Sequence, residues 1–262
     1  MKKYKKIACI LAGSMIMSLF AGCIGNGDVV PEEKNESTDT EEPTASETSQ
    51  EIKKAESRDI DQVHLRDKDS LYENDDDTSV VTMYLTVSKG NSSENTDHTW
   101  EEINSYSVYD YEEMGVDRYQ AAALLQIGDE NGPTEGMVGY GENVPNATVQ
   151  IRGQTSSRNA QKNYKIELKK NKGTWRGQRT INLNKHMTEG MRFRNKLAYD
   201  LLKGIPQLIS LRTQFVHLYV KDTTDGSADA EFEDYGLYTQ VEQPNKRFLR
   251  NHGLDEYGQL YK

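Results

Sequence analysis

Alternating apolar and polar residues along the chain predict a set of β-strands. Residues 80–87 (VVTMYLTV) show the pattern most clearly, because every second residue from Val81 to Val87 is apolar, the period of a half-buried strand. In residues 147–168 two alternating runs flank a polar loop, so we expect two paired strands there. Similar runs predict further strands near Tyr106 and at residues 180–183, 215–220, 235–242 and 257–261.

Two helices are predicted in the second half of the chain. Phe193, Leu197 and Leu201 recur at intervals of four residues, which places them on one apolar face of a helix over residues 191–202. We expect this face to pack beside the sheet and the charged residues to point to solvent. A second helix is predicted at residues 244–252, where a proline at the first position loses no hydrogen bond.

The N-terminus has the pattern of an export signal. Four lysines precede a short apolar run over residues 7–20, which is too short to favour a retained membrane-spanning helix. Residues 19–23 (LFAGC) resemble a bacterial lipobox. The resemblance implies removal of residues 1–22, lipidation of Cys23 and a lipid-anchored protein on the extracytoplasmic face of the cell membrane. The alternative is an uncleaved N-terminal anchor.

Charge divides the chain into acidic and basic parts. Residues 24–79 contain 18 acidic against 6 basic residues, residues 80–140 contain 11 against 2, and residues 141–262 contain 13 against 20. The first part has too few hydrophobic residues to offset chain entropy, so we expect residues 23–79 to be the lipidated cysteine followed by a disordered acidic linker. The basic part is the candidate for an anionic ligand, or has an ordinary solvated basic surface.

Residues 80–140 are expected to form a β-rich module. Within it, residues 117–128 can be a strand or a short helix, because their alanines and leucines favour helix but tertiary context can override propensity. Overall acidity, with a net charge of -10, and an outward location disfavour nucleic-acid binding. With Cys9 in the signal and Cys23 lipidated, no cysteine is left for a disulfide, and the five histidines lack metal-ligand spacing.

The loop between the strands of residues 147–168 has the chemistry of an anion site. It offers two guanidinium groups, hydroxyls and a flexible backbone, the groups that bind a phosphate. A solvated hairpin with incidental arginines is the alternative. The candidate binding residues here are Arg152, Ser156, Ser157, Arg158 and, on the polar face of the following strand, Lys165.

Several motifs in a fixed order resemble the spore coat protein H (CotH) kinase family. They are RGQTSSR, KNYKIEL, INLN, FRNKLAYDLL, FVHLYV, YGLYTQVEQPNKRFL and GQLYK, within residues 138–262. The resemblance implies an α+β fold with a mostly antiparallel sheet and one or two packed helices, similar to a protein-kinase N-lobe. Residues 141–262 would be the CotH kinase-like domain.

The same resemblance implies ATP and Mg²⁺ as cofactors and phosphoryl transfer to Ser/Thr-rich proteins. Lys165 resembles the strand lysine that holds nucleotide phosphates, and Glu242 resembles the hinge whose backbone holds adenine. In the family the aspartates for metal and acceptor follow this hinge. No residue before Lys262 takes their place, so we expect an incomplete kinase domain without its catalytic residues, inactive alone.

Three hypotheses remain at this stage. The chain is the nucleotide-facing half of a CotH-type kinase, or a non-catalytic binding or adhesive module displayed at the cell surface. The third hypothesis is that this incomplete kinase domain does not fold by itself. Partners are accordingly a protein substrate or a cell-surface component, together with the membrane.

Overall fold

The computed structural model describes residues 67–261 apart from Asn74, Pro206 and Ala228. The predicted signal peptide, the lipidation of Cys23 and the linker up to residue 66 lie outside the described residues. Among the helices that are described, none is both long and apolar enough to cross a membrane.

Eight strands and four short helices make up the described part of the chain. The helices are α1 (Trp100–Ser105), α2 (Val108–Met114), α3 (Arg194–Lys203) and α4 (Lys246–Asn251). The strands are β1 (Val80–Ser88), β2 (Ala121–Asp129), β3 (Gly132–Pro133), β4 (Ala147–Arg152), β5 (Asn163–Leu168), β6 (Thr180–Asn184), β7 (Thr213–Asp222) and β8 (Glu233–Glu242).

Seven of these strands close into a barrel. Their order is β1-β7-β8-β6-β5-β4-β2, and β2 pairs again with β1, while β3 only adds a short extension to β2. The β1–β7 pair is parallel, whereas the other pairs are antiparallel. The predicted fold class, an α+β kinase-like N-lobe with packed helices, is therefore wrong. Closure occurs because β1 hydrogen-bonds on both sides, so that neither edge of the sheet is left open.

The barrel interior is filled by the apolar faces of the strands. Alternate residues such as Leu85, Ile127, Val149 and Ile166 are 0–1% exposed, as expected when every second side chain points inward. Burying each such side chain stabilises the fold by about 1.5–3 kcal/mol. The alternation predicted for β1, β4, β5 and β7 is thus confirmed.

Three local predictions are wrong. Residues 100–111 form α1 and the start of α2 instead of a strand, because Thr99 and Ser107 each cap a helix in a capping box. Residues 257–261 form no strand. In α3 the predicted apolar face points outward, with Leu197 45% and Leu201 66% exposed, while Lys196 is 2% exposed.

Candidate anion-binding site

A cleft of about 450 Å³ opens at one end of the barrel, which we call the mouth. At this end β4, β6 and β7 finish, and β5 and β8 begin. The cleft lies between α1, the residues before β5, the residue after β6 and the first half of β8. Its lining residues are Trp100, Glu101, Asn104, Ala160, Gln161, Lys162, Tyr164, Lys185, Asp222, Asp234, Tyr235 and Tyr238.

Aromatic rings form the floor of the cleft. The Trp100 ring stacks on Tyr164 with a centroid distance of 5.0 Å, and its Nε1 donates a hydrogen bond of 2.9 Å to the Tyr235 hydroxyl. The Tyr164 hydroxyl donates to Asn104 Oδ1 at 2.7 Å, which ties β5 to α1. Burial raises the pKa of Tyr164 and Tyr238, so both phenols stay neutral. The floor is therefore apolar and rigid.

Two buried lysines line the cleft. Lys162 is 8% exposed and donates a 2.7 Å hydrogen bond to the carbonyl of Ser157. Lys185 is 4% exposed, donates to the carbonyl of Tyr235, and has its Nζ 4.4 Å from the centre of the Tyr238 ring. Neither lysine belongs to an ion pair among the described residues.

Burial lowers the pKa of both amines. The charge of Arg192 lowers that of Lys185 further, while the charges of Asp110 and Asp234 partly oppose the shifts of Lys162 and Lys185, respectively. A buried cation without a carboxylate partner is costly, and an anionic ligand would relieve that cost.

Further cations surround the same end of the barrel. Burial lowers the pKa of Arg152, which donates a hydrogen bond to Asn184 Oδ1. Burial also lowers the pKa of His186. The charge of Glu189 opposes this shift and those of Arg152 and Arg192 add to it, so the imidazole is neutral at neutral pH. His186 and Arg192 both adopt left-handed backbone conformations, with φ of 50° and 58°, in the tight loop after β6. The two arginines add positive charge to an end of the barrel whose cleft is also lined by Glu101, Asp222 and Asp234.

Two aspartates also line the cleft. Asp222 accepts hydrogen bonds from the amide and hydroxyl of Thr224 at 2.8 and 2.6 Å. Asp234 pairs with His217 at 2.7 Å, and this contact lowers the pKa of the carboxyl group. The described part of the chain contains no group of three or more His, Cys, Asp or Glu side chains arranged to hold a metal ion.

The predicted loop residues are close together at the mouth but have different surroundings. Ser157 is buried, accepts from the amide of Val108 at 3.0 Å and donates to the carbonyl of Gln154, so it anchors the loop to α2. Ser156 accepts from Asn163 at 3.0 Å, and the Arg158 guanidinium lies 3.9 Å from the centre of the Tyr109 ring. Arg152 lies at the same end, outside the set of cleft-lining residues.

Lys165 and Glu242 lie apart from the cleft. Lys165 is on the outer face of β5, opposite Gln150 of β4, and forms an ion pair of 2.8 Å with Glu167. Glu242 is the last residue of β8, at the end of the barrel away from the mouth, where it is 2% exposed. The structure thus brings Arg152 and the serines to one end and leaves Lys165 and Glu242 elsewhere.

Lys162 and Lys185 were not predicted from the sequence, although a signal for them exists. Lys162 directly precedes β5, and Lys185 directly follows β6. Because neighbouring antiparallel strands run in opposite directions, the start of one and the end of the next lie at the same end of the sheet. Cations at those two boundaries could therefore have been placed together once the pairing of β5 with β6 was assumed.

Comparison with known families agrees with the motif pattern. Residues 149–262 match the family described as CotH kinase protein. The chain therefore carries a CotH-family domain, which includes β4 from Val149, β5 to β8 and all cleft residues from Ala160 onward. No curated protein matches the chain.

Proposed function

We propose that this CotH-family domain binds the triphosphate of ATP in the mouth cleft. Lys162 and Lys185 would contact the phosphate oxygens, and Arg152 and Arg192 would add positive charge. The observation that carries the proposal is the pair of buried lysines that line one cleft and form no direct ion pair among the described residues. The domain would serve phosphoryl transfer to Ser or Thr of proteins, as part of a lipid-anchored surface protein.

The cleft suits such a ligand in size and chemistry. Its volume of about 450 Å³ lies in the usual range for small-molecule sites. Ammonium groups in a low-dielectric environment interact strongly with phosphate, and charge-assisted hydrogen bonds are worth about 1.5–3 kcal/mol each. The aromatic floor gives an apolar surface for the remainder of the nucleotide.

A magnesium ion fits this arrangement only together with the nucleotide. Mg²⁺ commonly takes one or two carboxylates and completes its shell with phosphate oxygens and water. Asp222 and Asp234 are the aspartates that line the cleft, and they would be the protein ligands. The ion would neutralise phosphate charge, while Lys162 and Lys185 hold the phosphates in place.

Titration of the full-length protein with Mg-ATP by calorimetry tests the proposal. We expect Lys185→Met to weaken binding about tenfold or more, because the lost charge-assisted contact corresponds to that factor. Lys172→Met is the matched control, since Lys172 forms a surface pair with Glu142 at 3.2 Å away from the cleft. Thermal melting of each variant shows whether the fold survives the change.

Lys165→Met distinguishes between two locations of the phosphate site. The sequence predicts a site at Lys165, whereas the structure favours the cleft with Lys162 and Lys185. The geometry predicts a small effect, because Lys165 already pairs with Glu167 on the outer face. If Lys165→Met abolishes binding and Lys185→Met does not, the phosphate site lies on the outer face. Absence of nucleotide binding in the wild-type protein would overturn the proposal and favour a non-catalytic surface module.

A further inference from the structure

Helix α3 is held to the barrel through its charged side. Lys196 is 2% exposed, and its Nζ lies 2.6 Å from Asp200 of the same helix and 5.3 Å from the centre of the Phe215 ring on β7. The apolar residues Leu197 and Leu201 face solvent. The usual arrangement of an amphipathic surface helix is therefore reversed, and the position of α3 depends on ion pairs.

The partners of these charges come from a short segment before the barrel. We call residues 75–79 the acidic strap. Asp77 Oδ1 lies 3.0 Å from Lys203 and 3.5 Å from Lys196, so one strap carboxylate contacts two turns of α3. Asp75 Oδ2 lies 3.8 Å from Lys203. Burial alone would lower the pKa of Lys203, but hydrogen bonds to Asp200 and Asp77 raise it.

The strap is also attached to the barrel itself. Asp75 pairs with Arg176 at 3.2 Å, in the turn before β6. The side-chain amide of Gln214 on β7 donates to the carbonyl of Ser79 at 2.7 Å, and β1 begins at the next residue. The strap thus connects the first strand, the turn before β6 and α3.

Helix α3 in turn connects the strap to the mouth. The loop of residues 185–193 carries Lys185, His186 and Arg192 and leads directly into α3. Glu189 of this loop accepts a hydrogen bond of 2.8 Å from the backbone amide of Arg194, the first residue of the helix. A displacement of α3 would therefore move the cationic loop that borders the cleft.

We propose that the acidic strap is a latch that regulates the anion site by fixing α3 and the loop of residues 185–193. With the strap bound, Lys185 and Arg192 are held in place for an anion. With the strap released, α3 and the loop lose their main charged restraint and the affinity for the anion falls. This inference rests on the function proposed above, with ATP as the ligand.

Hydrogen exchange and ATP titration of the double variant Asp75→Asn/Asp77→Asn test the latch. We expect amides of residues 185–203 to exchange about tenfold faster than in the wild type, because opening of a local unit needs less free energy without its ion pairs. ATP binding should weaken about fivefold, the lower end of ordinary coupling between sites. Asp76→Asn is the matched control, since the Asp76 side chain accepts hydrogen bonds from Thr78 within its own turn and forms no direct ion pair among the described residues.

The two measurements separate the latch from the proposed function. Unchanged exchange in residues 185–203 overturns the latch, whatever the ATP result. Faster exchange together with unchanged ATP affinity also overturns it, because α3 would then move without affecting the site. Absence of ATP binding in the wild type overturns the proposed function. If exchange in β5 shows that the double variant has lost its fold, Asp77→Asn alone carries the test, since Asp77 is 53% exposed.

Discussion

Glu242, which was predicted to lie at a nucleotide hinge, belongs to a buried cluster of charged side chains. Its carboxylate accepts from Arg212 at 2.6 and 3.1 Å and contacts Nε2 of His252 at 2.9 Å. The other ring nitrogen of His252 lies 2.5 Å from Asp67 Oδ1, so the cluster joins β8, α4 and the segment before the barrel. Breaking a buried pair costs more than forming it gains, because one charge is left without a partner.

Glu242→Gln should therefore destabilise the protein. We expect the free energy of unfolding to fall by about 3 kcal/mol, measured by urea denaturation at neutral pH. Glu256→Gln is the control, because Glu256 pairs with Arg250 at the surface and should change the free energy by less than about 1 kcal/mol. A loss for Glu242→Gln no larger than for this control would contradict a stabilising role.

The same cluster predicts acid sensitivity. Burial alone would raise the pKa of Glu242, but hydrogen bonds from His252 and Arg212 lower it from 4.5 to about 2. A lowered pKa in the folded state stabilises the protein above the pKa of the unfolded chain, and this contribution is lost as pH falls from about 4.5 towards 2. Wild-type stability should decline through that window, and the difference from Glu242→Gln should shrink. A constant difference down to pH 2 would exclude this explanation.

Single residues could be placed on a strand face from the sequence, but their partners could not all be inferred. Lys165 was correctly placed on the polar side of its strand, and Glu167, two residues on, shares that side. Their ion pair of 2.8 Å follows from that spacing alone. Lys162 and Lys185 are 23 residues apart, and only the pairing of β5 with β6 brings them to the same cleft.

At the scale of elements, local signals and tertiary contacts compete. The capping boxes that begin α1 and α2, Thr99 with Glu102 and Ser107 with Asp110, are visible in the sequence and could have identified both helices. Residues 121–129 are the opposite case. Their alanines favour helix, but pairing with both β1 and β4 makes them a strand.

The reversed orientation of α3 gives a prediction for paired substitutions. Lys196→Ala should lower the free energy of unfolding by about 2 kcal/mol, because it removes a buried partner of Asp200. Leu201→Gln should change it by less than about 0.5 kcal/mol, because Leu201 is 66% exposed. Thermal or chemical unfolding of both variants measures these changes in the free energy of unfolding. A larger loss for Leu201→Gln would show that the apolar face of α3 is the packed one.

At the scale of the whole molecule, the barrel depends on contacts between distant parts of the chain. Val80 pairs with Phe215 and Ser88 pairs with Ala122, so β1 joins two strands that no local pattern connects to it. Strands from both sides of residue 140 contribute to one core. Alternation of apolar and polar residues shows that a strand has a buried face. The same alternation occurs in an open sheet and in a closed barrel, so it does not predict closure.

Attachment of the whole protein to a membrane is a prediction from the sequence. We propose that Cys23 is lipidated, since small residues precede it after a short apolar run. Cys23→Ser should abolish incorporation of a labelled fatty acid in cells and leave the precursor unprocessed. Cys9→Ser, a change within the signal, should retain the label. Labelling that persists in Cys23→Ser would contradict the assignment.

Local sequence patterns were sufficient to identify the strands with a clear two-residue period, the hairpin that presents the Arg152 loop, and the CotH-family domain. These follow from spacing and from motifs within short stretches, where each residue's neighbours are known in advance. The closure of the barrel, the outward apolar face of α3 and the placement of Lys162 and Lys185 in one cleft became visible only in the three-dimensional structure. Those features depend on which distant strands hydrogen-bond and which charged side chains are buried together. The free energies of such long-range contacts cannot be read from the periodicity of a short stretch.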